Sequence, residues 1–319
     1  MGMLRLARNA MATRFEIVLH GPRESALRAA GEEALEEICK LEDQLSLFRS
    51  SSEIAHLNAR AAREPVRVSP PVFQLLRQAA TIHAETGGAF DITIAPLLRC
   101  WGFMQGTGCL PDPSALQTAR DRVGMDLVEF NPSDHTIRFK RPGVMLDLGA
   151  IGKGCAIERA AELLREAGVE SALLHGGTST VYAIGHPPDA EAWNISIEGP
   201  PSHDGESPPL ATISLRDEAL SVSAVWGKSF KSGERTLGHV LDPRTGNPAS
   251  SAILAALATP SATDSDALST ALLVLGESAM AHIRSLRPGM RAMVAMESGD
   301  GTRIAPGGLG ECLFVKKAV

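Results

Sequence analysis

The hydrophobic period of this chain changes in blocks, and that arrangement limits the folds open to it. Thr13–His20 alternates Phe15, Ile17 and Leu19 against Arg14, Glu16 and His20, the period of a half-buried strand. After Gly21-Pro22, Leu27, Ala30, Ala34, Leu35, Ile38, Leu41 and Leu45 recur at three- and four-residue steps, one stripe of a long helix. A second helix is predicted from Pro71 through Val72, Leu75, Leu76, Ala79 and Ile82, stopped by Gly87-Gly88. Strands are predicted at Thr136–Lys140 and Val144–Leu148, then a helix through Ile157, Ala160, Ala161 and Leu164, ended by Gly168. Short strands follow at Ser171–Leu174, Val181–Ile184, Trp193–Ile197, Ala211–Leu215 and Thr236–Leu241, with Pro200–Pro209 as a surface loop. Helices at Asp266–Leu275 and Glu277–Leu286 and strands at Arg291–Met296 and Cys312–Val315 complete the chain. Strands and helices in blocks predict an α+β fold rather than a regular βαβ sheet. With no internal repeat and no clean linker, residues 1–319 are expected to form one body.

Composition removes several function classes. The balance of 31 basic and 37 acidic residues, net −6, is too mild and too evenly spread for a nucleic-acid footprint. The N-terminus has no continuous apolar run of the signal-peptide kind. The longest apolar stretches, Ile253–Ala258 and Ala271–Leu275, fall far short of the roughly 20 residues a membrane helix needs. A cytoplasmic protein without membrane insertion is therefore expected. Cys39, Cys100, Cys109, Cys155 and Cys312 include no Cys-x-x-Cys pair, so buried reduced thiols are expected rather than disulfides or a structural zinc site.

Four segments can carry chemistry. Asp147-Leu148-Gly149-Ala150-Ile151-Gly152-Lys153-Gly154 sets a carboxylate at a predicted strand end, then a glycine-rich turn, then a lysine at the mouth of a helix. Such a turn suits a phosphate ester, because free helix N–H groups and a lysine charge converge on an anion; the plain alternative is a turn and nothing more. The spacing is neither a Walker A loop nor Gly-x-Gly-x-x-Gly. In Asp264-Ser265-Asp266-Ala267-Leu268-Ser269-Thr270, Asp266 and Thr270 share a helix face, and one carboxylate plus one hydroxyl suits a hard cation such as Mg²⁺; an ordinary capped helix is the alternative. His239, predicted on a strand running into Asp242-Pro243-Arg244-Thr245-Gly246, can take a proton from an attacking hydroxyl, or be structural. Gly87-Gly88-Ala89-Phe90-Asp91-Ile92-Thr93 reads as a glycine turn entering a strand, closed by an aromatic plug at Trp101-Gly102-Phe103.

In this order the segments resemble the ApbE family of FAD:protein FMN transferases, which move FMN from FAD onto a threonine or serine hydroxyl of an acceptor protein. The resemblance rests on Met11-Ala12-Thr13, Leu45-Ser46 with Ser52–Asn58, residues 87–93, 147–154, 176–177, 239–246 and 264–272, and spans nearly the whole chain. It implies an α+β, T-fold-like body of mixed and antiparallel sheets with packed helices. It implies that Asp266 and Thr270 hold Mg²⁺ with the backbone carbonyl of Ala150, and that Asp147 and Lys153 contact FAD, the substrate. Met11, Phe48, Ala89, Phe90 and Asp91 would line the flavin and adenine pockets, with Val240 and Leu241 alongside. His239 would assist the acceptor hydroxyl.

Two departures bear on the acceptor side. Family members commonly carry Gly-Gly-Asp where this chain has Gly176-Gly177-Thr178, and Ser-Gly-x-Tyr-x-Arg where it has Ser223-Ala224-Val225-Trp226-Gly227-Lys228. Lysine keeps the charge of arginine but not its bidentate fork. Two other outcomes therefore stand beside transfer: an Mg²⁺-dependent FAD pyrophosphatase giving FMN and AMP, and a non-catalytic FAD-binding protein. With no leader read, the acceptor is expected in the cytosol or on the cytosolic face of a membrane protein.

Overall fold

The computed structural model describes residues 2–104, 106, 108–200, 209–232, 235–298 and 301–309. The chain opens with β1 (Gly2–Ala10), β2 (Thr13–Gly21), α1 (Glu24–Leu45), α2 (Glu53–Arg60), β3 (Val66–Arg67), α3 (Pro70–Glu85), α4 (Ala95–Cys100) and α5 (Pro113–Arg120). It continues through β4 (Val128–Asn131), β5 (Thr136–Phe139), α6 (Gly152–Glu166), β6 (Ala172–Gly176), β7 (Thr180–Ile184), β8 (Trp193–Glu198) and β9 (Pro209–Leu215). The last part holds β10 (Glu218–Ala224), β11 (Ser229–Ser232), β12 (Arg235–Gly238), β13 (Leu254–Thr259), α7 (Ala262–Leu275), α8 (Met280–Ser285), β14 (Arg291–Ser298) and β15 (Gly301–Gly307).

Eight strands form one antiparallel sheet in the order β1-β2-β6-β7-β10-β13-β14-β15. Period-two alternation divides its side chains between two cores. Phe15, Ile17 and Leu19 face α1, α6 and α7, as do Ala172, Leu174, Ala255, Leu257, Ala292 and Val294. Val18, Leu173, Leu254, Ala256, Ala258, Met293 and Ala295 face the opposite way, toward the β8–β9 hairpin with Trp193, Ile197, Ile213 and Leu215. The apolar run at Ile253–Ala258 is thus a sheet strand buried on both faces, and Ala271–Leu275 is the end of the buried helix α7. Among the described residues no helix is long and apolar enough to cross a membrane.

Several expectations are corrected. Val144–Leu148 is no strand: Val144, Leu146 and Leu148 are buried in alternation, but the segment is tied down by other means. Asn58 donates through Nδ2 to the Leu146 carbonyl (2.9 Å) and accepts from its N–H (2.7 Å), while the Asp147 N–H donates to the Ile92 carbonyl (2.7 Å). Phe90–Thr93 is a turn, because the Asp91 carboxylate folds back onto the Thr93 N–H (2.7 Å) and hydroxyl (2.6 Å). β12 ends at Gly238, so His239 follows the strand instead of lying on it, although its N–H still reaches the Lys228 carbonyl (3.0 Å). Glu277–Leu286 divides into a 3₁₀ turn over Glu277–Ala279 and the short α8. Cys39, Cys100, Cys109 and Cys155 are free thiols as expected, but Cys39, Cys100 and Cys155 are half-buried and Cys109 is exposed, so the expected burial is met only in part. Cys312–Val315 lies outside the described residues, as do 201–208 of the expected loop, and Pro209 already belongs to β9.

Candidate functional site

The main cavity, about 850 Å³, opens where β7 stops short. Ser221 pairs with Thr180, and past that point Val222, Ser223 and Ala224 are paired by backbone only to β13 on the other side, apart from one bond from the Val222 N–H to the Ser179 carbonyl (2.7 Å). The cavity wraps this gap. From the helix side it meets Asp147, Ala150, Lys153, Asp266 and Thr270; from the hairpin side it meets Val181, Val222, Leu254, Ile195 and Ile197. Met11, Phe48, Ala89, Phe90, Asp91, His239, Val240 and Leu241 complete much of the lining. The thirteen residues singled out from the sequence therefore meet around one space. Phe48 stands 74% exposed at its edge.

The oxygen-rich end is built by two helices in close contact. α7 is buried almost all round, and its polar residues are individually satisfied. Asp264 accepts from Gln78 (2.9 Å) and from Arg287 Nε (2.5 Å), and Glu158 of α6 accepts from the Ser261 hydroxyl and the Thr263 N–H. Asp266, only 4% exposed, accepts through Oδ2 from the Gly154 N–H at the start of α6 (3.0 Å). This bond diverts the Gly154 N–H from the carbonyl four residues back, so among the described residues nothing donates to the Ala150 carbonyl. Gly154 has to be glycine for this approach, since a Cβ there would overlap the Ala262 carbonyl oxygen and lie 2.7 Å from Asp266 Cβ.

An unpartnered carbonyl, a carboxylate and the Thr270 hydroxyl make an oxygen-only donor set, which fits Mg²⁺ rather than a softer metal. Among the described residues there is no cluster of three or more His, Cys, Asp or Glu side chains of the kind that cages zinc. Burial pushes the Asp147 carboxyl above its ordinary range, opposed by the Gly149 N–H (2.7 Å) and by the charges of Lys153 and Lys228. Lys153 Nζ donates to the Gly149 carbonyl (3.2 Å), across the glycine turn.

His239 lines the same cavity. Burial lowers its pKa, and the charges of Lys228 and Lys153 act in the same direction. Its Nδ1 lies 3.1 Å from the Lys228 carbonyl, which can only accept, so Nδ1 carries the proton and Nε2 keeps a lone pair. His83 is the reverse case: burial opposes its charge, but the bond to Asp91 (3.2 Å) and that carboxylate's attraction prevail and raise its pKa. Asp91 is fully engaged by His83 and Thr93 and so holds the shape of the Ala89–Thr93 turn.

Met11 enters the site by an unusual route. Met11 and Ala12 form the two-residue turn between β1 and β2, both with positive φ (50° and 57°). Such a turn ordinarily takes Asn-Gly, and left-handed non-glycine residues cost of order 1–2 kcal/mol each. That turn projects Met11 against the cavity. Trp226, noted from the sequence only as part of the departing 223–228 segment, also lines it, and the sequence reading missed His175 and the β8 residues Ile195–Glu198 as lining. Their strands were read from periodicity, but only the sheet topology brings them here.

The ApbE family profile matches residues 11–294. A relative from Treponema pallidum named FAD:protein FMN transferase is 32% identical over 279 residues, covering 82% of this chain and 76% of its own. One of the same name from Klebsiella pneumoniae is 28% identical over 282 residues, covering 86% and 78%. Among solved structures, the ApbE protein of Thermotoga maritima superposes with a TM-score of 0.84 at 25% identity, covering 96% of this chain and 97% of that one. The flavin transferase ApbE from Vibrio cholerae gives 0.81 at 25%, with the same coverage. Matched along most of its length in both sequence and fold, the chain belongs to the ApbE family.

Proposed function

We propose that this chain is an FAD:protein FMN transferase, working as one body in the cytoplasm and using Mg²⁺ to move FMN from FAD to a serine or threonine hydroxyl of an acceptor protein. One observation carries the reading: an Ala150 carbonyl with no donor among the described residues, the Asp266 carboxylate and the Thr270 hydroxyl belong to residues that share a cavity with Lys153 and with a neutral His239. Ala150, Asp266 and Thr270 would hold Mg²⁺, which when bound supplies charge neutralisation at the diphosphate. Lys153 adds a fixed positive charge beside the glycine turn, where a diphosphate oxygen can approach backbone N–H groups. His239 Nε2 takes the proton of the acceptor hydroxyl while its Nδ1–H stays on the Lys228 carbonyl. The hydroxyl oxygen bonds to the FMN phosphorus, the bond from that phosphorus to the AMP oxygen breaks, and AMP leaves.

The test mixes purified protein with FAD, Mg²⁺ and an acceptor domain and looks for flavin fluorescence on the acceptor band of a denaturing gel. Transfer that is lost in Asp266→Ala supports the reading. FMN and AMP released equally without acceptor would mark a pyrophosphatase, and FAD retained without turnover a carrier; either result refutes transfer.

A further inference from the structure

We propose that Ser223 is a positioning residue whose hydroxyl fixes the Thr270 hydroxyl as a cation-facing acceptor. The inference rests on the reading that Thr270 and Asp266 hold Mg²⁺. It follows from counting protons along a chain of hydroxyl groups between β10 and α7. Ser269, fully buried, donates its single proton to the Asp266 carbonyl (2.9 Å). Its contact with Ser223 Oγ (2.9 Å) must then be donated by Ser223. Ser223 has no second proton, so its contact with Thr270 Oγ1 (3.1 Å) is donated by Thr270. The other acceptor within reach of Thr270, the Asp266 carbonyl at 3.4 Å, lies beyond ordinary O–H···O range. The chain therefore runs Thr270 to Ser223 to Ser269 to the Asp266 carbonyl. The Thr270 proton is committed to Ser223, and its lone pairs remain for a ligand.

A lone hydroxyl can turn either a proton or a lone pair toward a cation, and only the lone pair binds. The relay removes that freedom. Its mount is stiff, because Ser223 is held in register opposite Ala255 in the central sheet and Ser269 is locked inside α7. Groups behind a metal ligand that set its orientation are worth roughly 10–100-fold in metal affinity.

The test measures Mn²⁺, a paramagnetic stand-in for Mg²⁺, binding to the full chain with FAD and no acceptor, by electron paramagnetic resonance. Ser223→Ala is expected to weaken binding about tenfold or more, and Ser223→Thr, which keeps the oxygen, to restore most of it. Ser269→Ala, a change away from the cavity wall, frees the Ser223 proton to turn on Thr270 and is expected to weaken binding several-fold. Thermal unfolding of each variant separates this loss from misfolding. Ser223→Ala or Ser269→Ala binding within twofold of wild type would overturn the relay, as would Ser223→Thr behaving like alanine. Wild-type protein binding no Mn²⁺ with FAD present would instead refute the metal reading, and the relay with it.

Discussion

Replacing Gly154 by alanine sets two opposed effects against each other on one residue. In an open helix the change is favourable by about 0.8–1.0 kcal/mol, because alanine is the better helix former. Here the new methyl group would press on α7, at 2.7 Å from Asp266 Cβ and 2.9 Å from the Ala262 carbonyl carbon. Ordinary contact begins near 3.4 Å, so clearing the still closer Ala262 carbonyl oxygen requires the helices to part by roughly 1 Å. The closest obstruction is backbone inside a buried helix, which cannot swing aside. Overpacking of this kind costs about 1–3 kcal/mol. Parting also stretches the 3.0 Å bond from the Gly154 N–H to the Asp266 carboxylate, and bonds to charged groups are worth about 1.5–3 kcal/mol. The net expectation is a loss of about 2–4 kcal/mol, seen as a Tm lowered by about 3–6 °C in differential scanning calorimetry for a chain of 319 residues, with flavin transfer reduced further because Asp266 shifts. Gly152→Ala, two residues earlier on α6, is the control: its Cβ would meet only Leu148 Cβ at 3.8 Å, so that variant should be neutral or slightly stabilised. Gly154→Ala matching Gly152→Ala in both Tm and transfer would show that the helix approach does not hold Asp266 in place.

Other expectations are as direct. With its pKa lowered by burial, His239 is a neutral base at pH 6.5 and above, so kcat/KM should hold through neutrality and fall on the acid side below that; His239→Gln should remove this acid limb along with about 10²–10⁴ of the rate. Asn58→Ala leaves the N–H and carbonyl of Leu146 without their partner and should cost about 2–4 kcal/mol in urea unfolding, whereas a loss below 1 kcal/mol would mean that this amide does not anchor the segment carrying Asp147. Ala12→Gly relieves one left-handed alanine and should raise stability by up to about 1 kcal/mol, a prediction that an unchanged or lower Tm would contradict. His83 has a raised folded pKa, so the stability from its pair with Asp91 is full below the unfolded value near 6.5 and fades as pH rises through the folded one. Asp91→Asn should flatten that part of the stability profile.

Legibility followed the range of the interaction. β2, α1, α3 and α6 have a regular apolar period and a flanking signal, and the residues alone located them, whereas α7, buried on nearly every side, was located only from Asp266 onward. β13 is buried on both faces, so its apolar run carries no alternation to separate strand from helix. β1 was hidden for a different reason: its turn to β2 is Met11-Ala12, which offers no glycine or asparagine to announce a hairpin. Val144–Leu148 shows the converse error. Its alternation is real and its burial is as expected, but the backbone partner is the Asn58 side chain, which no periodicity reports. Motif residues met at the cavity because each segment carries a local chemical signature. Ile195–Glu198 have none, and reach the cavity only because β7 ends early and the β8–β9 hairpin covers that face.

The close seating of Gly154 against α7 also divides the labour of fitting a ligand. The wall carrying Ala150, Lys153, Asp266 and Thr270 is two helices clamped together without slack, so it offers a fixed template. Phe48 and Lys228 line the same cavity but are exposed, with far more freedom of side chain. Under the proposed function, a dinucleotide would conform to the rigid wall, while the exposed side chains would adjust to the polypeptide that receives the flavin. Acceptor choice would then be open to change at those exposed positions without disturbing the clamped helices.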